Sequence, residues 1–438
     1  MIDDDGLFTA DFATTPYWWD EAPPLKPEPG GLPAKVDVAI VGAGITGLNA
    51  ALPLARAGRS VAVLDAGDLG QGASSRNAGY VGRSLKHSFR SLARRFGIAR
   101  AVAVYREMQA AFDTVSEVIT SEQIACRFKR CGRLVLARSR AQFDDLGEEL
   151  SLRRQHLGDE FELIQRDRLH EEIATHGFRG GAVIPDNGSL HPGLYQRGLL
   201  ERARSAGVRL SGDTAVTRIE PLGKGPGFSL TAQRGRIAAR DVLVATNGYS
   251  GAAFPWLQRR LIPFDAYMIA TEPLTPAVME RVLPKERTVI DHAFNIVFLR
   301  RSPDGSRLLF GGRTGSRSTG LKAKAAELHR LASGHFPGLA DIKIGHAWTG
   351  RCAATFDLYP HVGTKDGIHF AGGYCFAGVP MGTYLGRKSA QRILGTREGE
   401  TVFAERPFPT VPLYTGNPWF VPQAMAVYDM LDRWAGRR

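Results

Sequence analysis

The stretch Val36 to Gly47, VDVAIVGAGITG, constrains this chain more than any other. Val36, Val38, Ile40 and Val41 give the β-branched density of a buried parallel strand. Gly42, Gly44 and Gly47 then stand at G-x-G-x-x-G spacing, where the apolar pattern turns helical. Gly42 permits a tight turn, Gly44 leaves no Cβ between backbone and a pyrophosphate, and Gly47 lets the helix lie close on the strand. The free N–H groups of the helix start face the phosphates. Alone, a hexapeptide of this kind is a weak signal. Its support is Val61 to Asp65, VAVLD, a second buried strand ending in an acid 18 residues after Gly47, where a carboxylate accepts from a ribose 2′-OH. Together they predict a dinucleotide-binding α/β unit, with Ile45, Thr46 and Ala66 joining the three glycines and Asp65 as candidate contacts.

At 438 residues the chain exceeds one ordinary core, and we expect two domains. A composition that is 43% hydrophobic and 23% charged, with 50 glycines, fits a globular enzyme. The most apolar stretch, Val36 to Ala55, carries Asp37, Asn49 and the fingerprint glycines, so burial under helices is expected rather than a membrane span. The acidic start MIDDDGLF lacks the basic and apolar regions of a signal peptide, which leads us to expect a cytoplasmic protein. Cys126, Cys131, Cys352 and Cys375 form no C-x-x-C pair, so reduced thiols are expected rather than a metal site or a disulfide framework. The net charge of +12 admits a nucleic acid, an anionic substrate or an arginine-rich surface.

Along the chain, Tyr17, Trp18 and Trp19 precede a proline-rich PPLKPEPGGLP, predicting an extended arm that docks its aromatics on the body. Ile45 to Ala57 reads as a helix that Pro53 should kink or shorten and Gly58 should close. From Ser84 to about Thr120 the pattern is helical, with Leu85, Phe89, Leu92 and Phe96 on one stripe and Lys86, Arg90, Arg94, Arg95 and Arg100 making a basic face. Cys131 to Ala137 reads as a strand, Arg140 to Gly158 as a charged helix, Gly181 to Pro192 as a turn-rich passage and Gly193 to Ala206 as a helix ended by Gly207. GVRL, AVTRIE, FSLTAQ and RIAA read as short strands, and Asp241 to Tyr249 as a further buried strand. Strands are expected at Phe264 to Ala270, Asn295 to Leu299 and Leu308 to Gly311. Ile368 to Gly386 repeats strand, glycine turn and helix, the helix starting near Pro380 or Gly382, and the tail holds an amphipathic helix around Gln423 to Trp434. We place residues 1–97, 181–255 and 346–438 in the dinucleotide-binding domain and residues 98–180 and 256–345 in a second, inserted domain.

Gly67 to Gly79, GDLGQGASSRNAG, resembles the segment under the flavin in the D-amino-acid oxidase superfamily. The turn Ala245 to Gly248 resembles that family's second FAD segment, and Ile368 to Gly386 its last. Pro303 to Gly305 with Leu309 to Gly311 resembles the hairpin of its substrate domain. The resemblance covers nearly all of residues 34–398 and is nearest the gamma-glutamylputrescine oxidase, glycine oxidase and sarcosine oxidase branch. It implies an α/β fold: a Rossmann-like FAD-binding domain of the glutathione-reductase type and a mixed-sheet substrate domain. It also implies FAD, hydride transfer from a C–N bond, an imine that hydrolyses, and oxygen as acceptor with peroxide as product. Carried onto this chain, it implies cofactor contacts at Gly72, Ala73, Ser74 and Ser75, then Arg76, Asn77, Ala78 and Gly79. Further implied contacts are Val216, Thr246, Asn247 and Gly248, then Gly373, Tyr374, Gly378, Val379, Pro380 and Met381.

Flavin would supply the redox chemistry, leaving the protein to orient a C–H bond and hold the substrate's charges. Arg83 resembles the sarcosine oxidase position that binds substrate carboxylate, which a guanidinium can hold bidentately. The family's second carboxylate-binding residue, a lysine, is replaced by Pro380. Other substrate-side candidates are Arg300, Tyr267 and His292, with Arg301, Arg313 and Arg351 beside them. Cys352, in RCAAT, falls at or near the cysteine that tethers FAD in sarcosine oxidases, but the following TFDLYP departs from that pattern, so non-covalent FAD is expected. The expected substrate is a small carboxylate-bearing, glycine-type or N-substituted amino acid such as iminodiacetate or a sarcosine-like compound, with gamma-glutamylputrescine as the alternative. An RNA-modifying flavoprotein is the rival class, and it lacks a visible RNA-binding module.

Overall fold

A computed structural model describes residues 6–27, 30–223, 225–312 and 320–435. Among these, one sheet has eight strands: β10 (Val216–Pro221), β11 (Phe228–Ala232), β12 (Gly235–Val244), β2 (Lys35–Val41), β3 (Val61–Leu64) and β9 (Arg209–Ser211) in spatial order, with β19 (Ile368–Gly372) beside β12 and β18 (His361–Lys365) beside β19. The other has nine, in the order β1 (Phe8–Ala13), β17 (Ile344–Thr355), β13 (Leu261–Thr271), β16 (Leu308–Gly312), β15 (Phe298–Arg301), β14 (Thr288–Asp291), β5 (Arg133–Ala137), β7 (Gly180–Ile184) and β6 (Glu162–Gln165). A short ribbon pairs β4 (Tyr80–Gly82) with β8 (Asn187–Ser189) between them. The helices are α1 (Ile45–Arg56), α2 (Phe89–Phe96), α3 (Ile98–Ser121), α4 (Arg140–Leu157), α5 (Pro192–Ser205), α6 (Pro255–Gln258), α7 (Pro276–Val282), α8 (Leu321–His335), α9 (Gly378–Leu394) and α10 (Val421–Ala435).

The fingerprint strand behaves as its alternation requires. Val38 and Ile40 of β2 join Val61, Val63 and Leu243 on one face, packed against Leu48 and Leu54 of α1, Leu199 of α5 and Phe112 of α3. Ala39 and Val41 join Ala62, Leu64, Val242 and Val244 on the other, against Phe228, Leu230 and Leu257. Both faces are covered, as parallel strands need. Strand β12 unites RIAA with DVLV in a single run: Gly235–Ala239 pairs antiparallel with β11, and Val242–Val244 lies parallel between β2 and β19.

The nine-stranded sheet alternates in the same way. Leu134, Leu136, Val289, Leu299 and Ile269 face a core closed by Leu328 and Ala332 of α8. Its opposite face carries Val135, Met268, Ile290 and Phe298, which line the cavity described below.

Several local expectations are corrected. The basic helix from Ser84 divides at Gly97 (φ +84°), leaving Leu85 and Lys86 ahead of α2. The passage Gly181 to Pro192 contains strands β7 and β8, because its glycines sit against neighbouring backbone: a Cβ on Gly181 would lie 2.7 Å from the Val135 carbonyl oxygen. Helix α1 runs unbroken through Pro53, near enough to its end that the missing N–H removes a single late bond of the ladder. Helix α9 starts at Gly378, earlier than expected. Phe8–Ala13, Gly180–Ile184 and Ile344–Thr355 are strands of the nine-stranded sheet, although they lie in or overlap stretches placed above in the dinucleotide-binding part. No helix among the described residues is long and apolar enough to cross a membrane.

Candidate active site

The two sheets line a cavity of about 1110 Å³. Its floor begins at the fingerprint. Gly42 adopts φ +106°, and a Cβ there would stand 3.1 Å from the Ala245 carbonyl oxygen, so the turn requires glycine both for its dihedral and for its clearance. A Cβ on Gly47 would collide with the Gly42 carbonyl oxygen, which holds α1 close against the turn. Gly44 caps α1, and the next N–H, of Ile45, donates to Ser74 Oγ (3.0 Å). Asp65, at the end of β3, accepts from the N–H groups of Ala43 (2.7 Å) and Gly67 (3.2 Å), while burial holds its carboxyl above the usual range. Thr46 and Ala66 also line the space.

The segment after the acid forms the next wall, with Gly72, Ala73, Ser74, Arg76, Asn77 and Ala78 on the cavity. The aromatic arm pins it from behind: Trp18 Nε1 donates to the Asn77 carbonyl and Trp19 Nε1 to Ser75 Oγ, each at 2.9 Å, while Trp348 Nε1 donates to the Arg76 carbonyl (2.8 Å). Val216, Thr246 and Asn247 line the cavity at one end, and Tyr374, Gly378, Val379 and Pro380 bring the first turn of α9 to it. Six expected contacts sit behind this lining. Gly47 is in the helix–turn contact, Ser75 Oγ donates to the Gly70 carbonyl, and Gly79 lies under the Leu190 carbonyl and the Arg300 guanidinium. Gly248 abuts the Cys352 carbonyl, Gly373 N–H donates to Asn247 Oδ1 (2.9 Å), and Met381 is buried with Tyr105 and Leu385. These six shape the wall from its second layer.

On the substrate side the structure rearranges the candidates. Tyr267 belongs to the opposite face of β13, where its hydroxyl accepts from Lys324, because alternation turns Ala266 and Met268 to the cavity instead. Arg300 is buried behind the lining, its Nη1 donating to the carbonyls of Ala78 (2.9 Å), Gly79 and Leu190 (2.9 Å), so its donors hold backbone. Arg301 likewise donates to Leu283 and Pro284 carbonyls. His292 lines the cavity, 3.5 Å from Asp145, and Arg351 lines it beside Asp265 (3.3 Å). Arg313 lies outside the described residues. Arg83 is a buried cavity residue, ion-paired to Asp159 (2.7 Å), which also takes Nε (2.7 Å) and Nη2 (2.6 Å) of Arg153.

Residues 37–392 match the family model of FAD-dependent oxidoreductases named DAO. The chain is an FAD-dependent oxidoreductase of this family. The gamma-glutamylputrescine oxidoreductase of Escherichia coli K12 is 30% identical over 404 residues, covering 91% of this chain and 93% of that protein. A probable oxidoreductase, OrdL, of Haemophilus influenzae is 29% identical, covering 86% of each. The crystal structure of glycine oxidase from Geobacillus kaustophilus superposes with a TM-score of 0.72 over 87% of this chain and 99% of that one, at 22% identity, a likeness of fold.

The site fits FAD in its particulars: the glycine turn, an acid ending β3, the opening of α1 for a pyrophosphate, and a second helix start, α9, facing the same cavity. The Cys352 thiol is pushed up to about 12 by burial and Cys375 to about 11, so both are protonated at neutral pH.

Several cavity residues escaped the sequence reading. Arg133 and Val135 of β5, Ile184 of β7, Ile290 of β14 and Phe298 of β15 come from the inner face of the large sheet. Lys86, expected on a surface helix face, projects into the cavity 4.7 Å from the Phe376 ring centre, with its pKa lowered by burial. One signal was available for Arg133, a charge in phase with the apolar positions of RLVLA. Elsewhere on the expected basic face, Arg90 pairs with Asp145 and Glu148, and Arg100 with Glu405.

Proposed function

We propose that this oxidoreductase oxidises the C–N bond of an amine that carries a carboxylate, a glycine-type or N-substituted amino acid, with oxygen as acceptor. The observation that carries this reading is the charge on the large-sheet side of the cavity. Arg83, Lys86, Arg133 and Arg153 line it, and the lining acids are already engaged. Glu149 accepts from the Phe89 and Arg90 N–H groups, Asp291 is bound by Arg138 and the Val297 N–H, and Asp265 meets Arg351. A cavity wall with surplus positive charge favours an anionic ligand.

FAD, when bound, supplies the acceptor for a hydride from the carbon next to nitrogen. The chain's part is to bind and orient. Met268, Phe298, Ile290 and Val135 form an apolar surface that excludes water around the reacting carbon, and the cationic wall holds the carboxylate so that the C–H bond has a fixed direction. The opening turn of α9 presents free N–H groups and a positive dipole end to the cavity, which favour negative charge there. The resulting imine hydrolyses in water. We assign the eight-stranded sheet with α1, α5 and α9 to cofactor binding and the nine-stranded sheet to substrate. FAD is held without a covalent bond, and the four free thiols suit a reducing cytoplasm.

A second reading, gamma-glutamylputrescine, is favoured by the 30% identity to the E. coli enzyme, and that molecule also bears a carboxylate. One experiment separates them: peroxide release by the purified yellow protein from N-substituted glycines, amino acids, gamma-glutamylputrescine and amines without a carboxylate. Peroxide from N-substituted glycines supports the first reading, and peroxide from gamma-glutamylputrescine alone the second. Activity confined to amines without a carboxylate overturns both.

A further inference from the structure

We propose that Arg133 and Asn187 form the subsite that receives the substrate's carboxylate together with an adjacent N–H, Arg133 donating to the carboxylate and the Asn187 amide oxygen accepting from nitrogen. This rests on the carboxylate-bearing reading above and names the residues that would enforce it.

Arg133 opens β5, in phase with Val135 and out of phase with Leu134 and Leu136, so the sheet itself turns the side chain toward the cavity. The residue is 6% exposed. Nη1 donates to Ser84 Oγ (2.9 Å), and Nε is buried with no partner. Among the described residues no carboxylate reaches it within ion-pair distance. The titratable groups nearest it are the Tyr80 phenol, the Cys131 thiol and the like-charged Arg153, and burial lowers its pKa. The Tyr80 ring lies 5.5 Å from the guanidinium and offers a π face, which leaves the Nε donor unused. A buried cation in this state lacks its counter-charge.

Asn187, on β8, supplies the second half. It lines the same cavity and is 4% exposed, and its Oδ1 is buried without a donor. Both groups converge on Gly82, where a Cβ would stand 3.1 Å from Arg133 Nη2 and collide with Asn187 Oδ1. Glycine at that position lets the Asn187 amide lie against the β4 backbone beside Arg133. A guanidinium without a counter-charge beside an amide oxygen without a donor matches a carboxylate whose neighbouring nitrogen bears hydrogen. Arg83 and Arg153 are less free for this task, because both are committed to Asp159.

The test uses the FAD-loaded enzyme and acetate, a carboxylate with no C–N bond to oxidise, read by perturbation of the flavin absorbance, alongside steady-state kinetics on sarcosine and on dimethylamine. Arg133→Met should weaken acetate binding by about 30-fold or more and raise the KM for sarcosine by a similar factor, with kcat/KM for dimethylamine little changed. Arg133→Lys should recover part of the acetate affinity, since it keeps the charge and loses the fork. Asn187→Ala should leave acetate binding near wild type and raise the KM for sarcosine. If Arg133→Met fails to fold, Arg133→Lys and Asn187→Ala carry the test. Acetate binding of wild-type strength in both Arg133 variants overturns the subsite while leaving the carboxylate reading intact. Acetate binding lost with Arg133, in an enzyme that oxidises only amines without a carboxylate, supports the anion subsite and overturns the reading of function instead.

Discussion

Asp159 carries the electrostatics of the cavity wall, and Asp159→Asn tests that most severely. Its carboxylate is 5% exposed and receives Arg83 Nη1 at 2.7 Å and Arg153 Nη2 at 2.6 Å, so two buried guanidiniums share one negative charge. Asparagine is nearly isosteric and can still accept one of these bonds, yet it leaves both cations uncompensated. Breaking a buried pair by removing one partner costs about 3–5 kcal/mol. Against a native stability of roughly 5–15 kcal/mol, that is a large fraction. The urea midpoint of the FAD-loaded protein should therefore fall well below wild type. Adding Arg153→Met to Asp159→Asn should raise it again, because one of the two orphaned charges is removed. Acetate should stabilise Asp159→Asn more than it stabilises wild type, since the wall is then one unit more positive. A midpoint for Asp159→Asn indistinguishable from wild type would refute the reasoning, by showing that Arg83 and Arg153 do not depend on this carboxylate.

Three further outcomes follow from the geometry. Gly47→Ala places a Cβ against the Gly42 carbonyl oxygen and forces α1 off the turn, so the purified variant should retain little FAD, read as the ratio of flavin to protein absorbance. Because the Cys352 thiol is pushed up to about 12 and stays protonated, acid precipitation should leave the flavin in the supernatant; colour in the pellet that disappears in Cys352→Ala would reverse this. His191 caps α5 by accepting from the Leu194 N–H (3.1 Å) and is buried, which lowers its pKa to about 4. The unfolded chain binds that proton near pH 6.5 and the folded one does not, so His191 supports stability above about pH 6.5 and loses that support as the pH falls toward 4. The unfolding midpoint should drop over this window and drop less in His191→Gln, with His335, also lowered to about 4 by burial, contributing in the same direction.

The parts of the fold that were legible are those where local pattern and global packing agree. Val38 and Ile40 alternate with Ala39 and Val41, and both faces of β2 are buried, so the strand and its glycine turn follow from the residues alone. Asp65, Ser74 and the start of α9 were likewise placed on the cavity by motif order. Tyr267 and Arg300 failed for different reasons. A strand position one residue out of phase turns Tyr267 to the opposite face of the sheet. Arg300 has the right face, but its Nη1 is taken up by carbonyls of the Ala78–Gly79 segment, brought near it only by tertiary folding. Lys86 was misplaced because the helical pattern was extended across Gly97 and back to Ser84, whereas α2 begins at Phe89. Arg133, Asn187, Arg153 and Asp159 come from four separate elements or loops, and nothing local in the sequence announces that they converge.

The central claim, that this FAD-dependent oxidoreductase takes its electrons from the C–N bond of a carboxylate-bearing amine, is tested most directly by anaerobic mixing of the yellow enzyme with sarcosine and iminodiacetate in a stopped-flow spectrophotometer. The account expects the visible flavin absorbance to bleach with one of them, at a rate that saturates with substrate, and the colour to return when oxygen is admitted. Absorbance that persists with every carboxylate-bearing amine, gamma-glutamylputrescine included, yet bleaches with amines that lack the carboxylate, would contradict it.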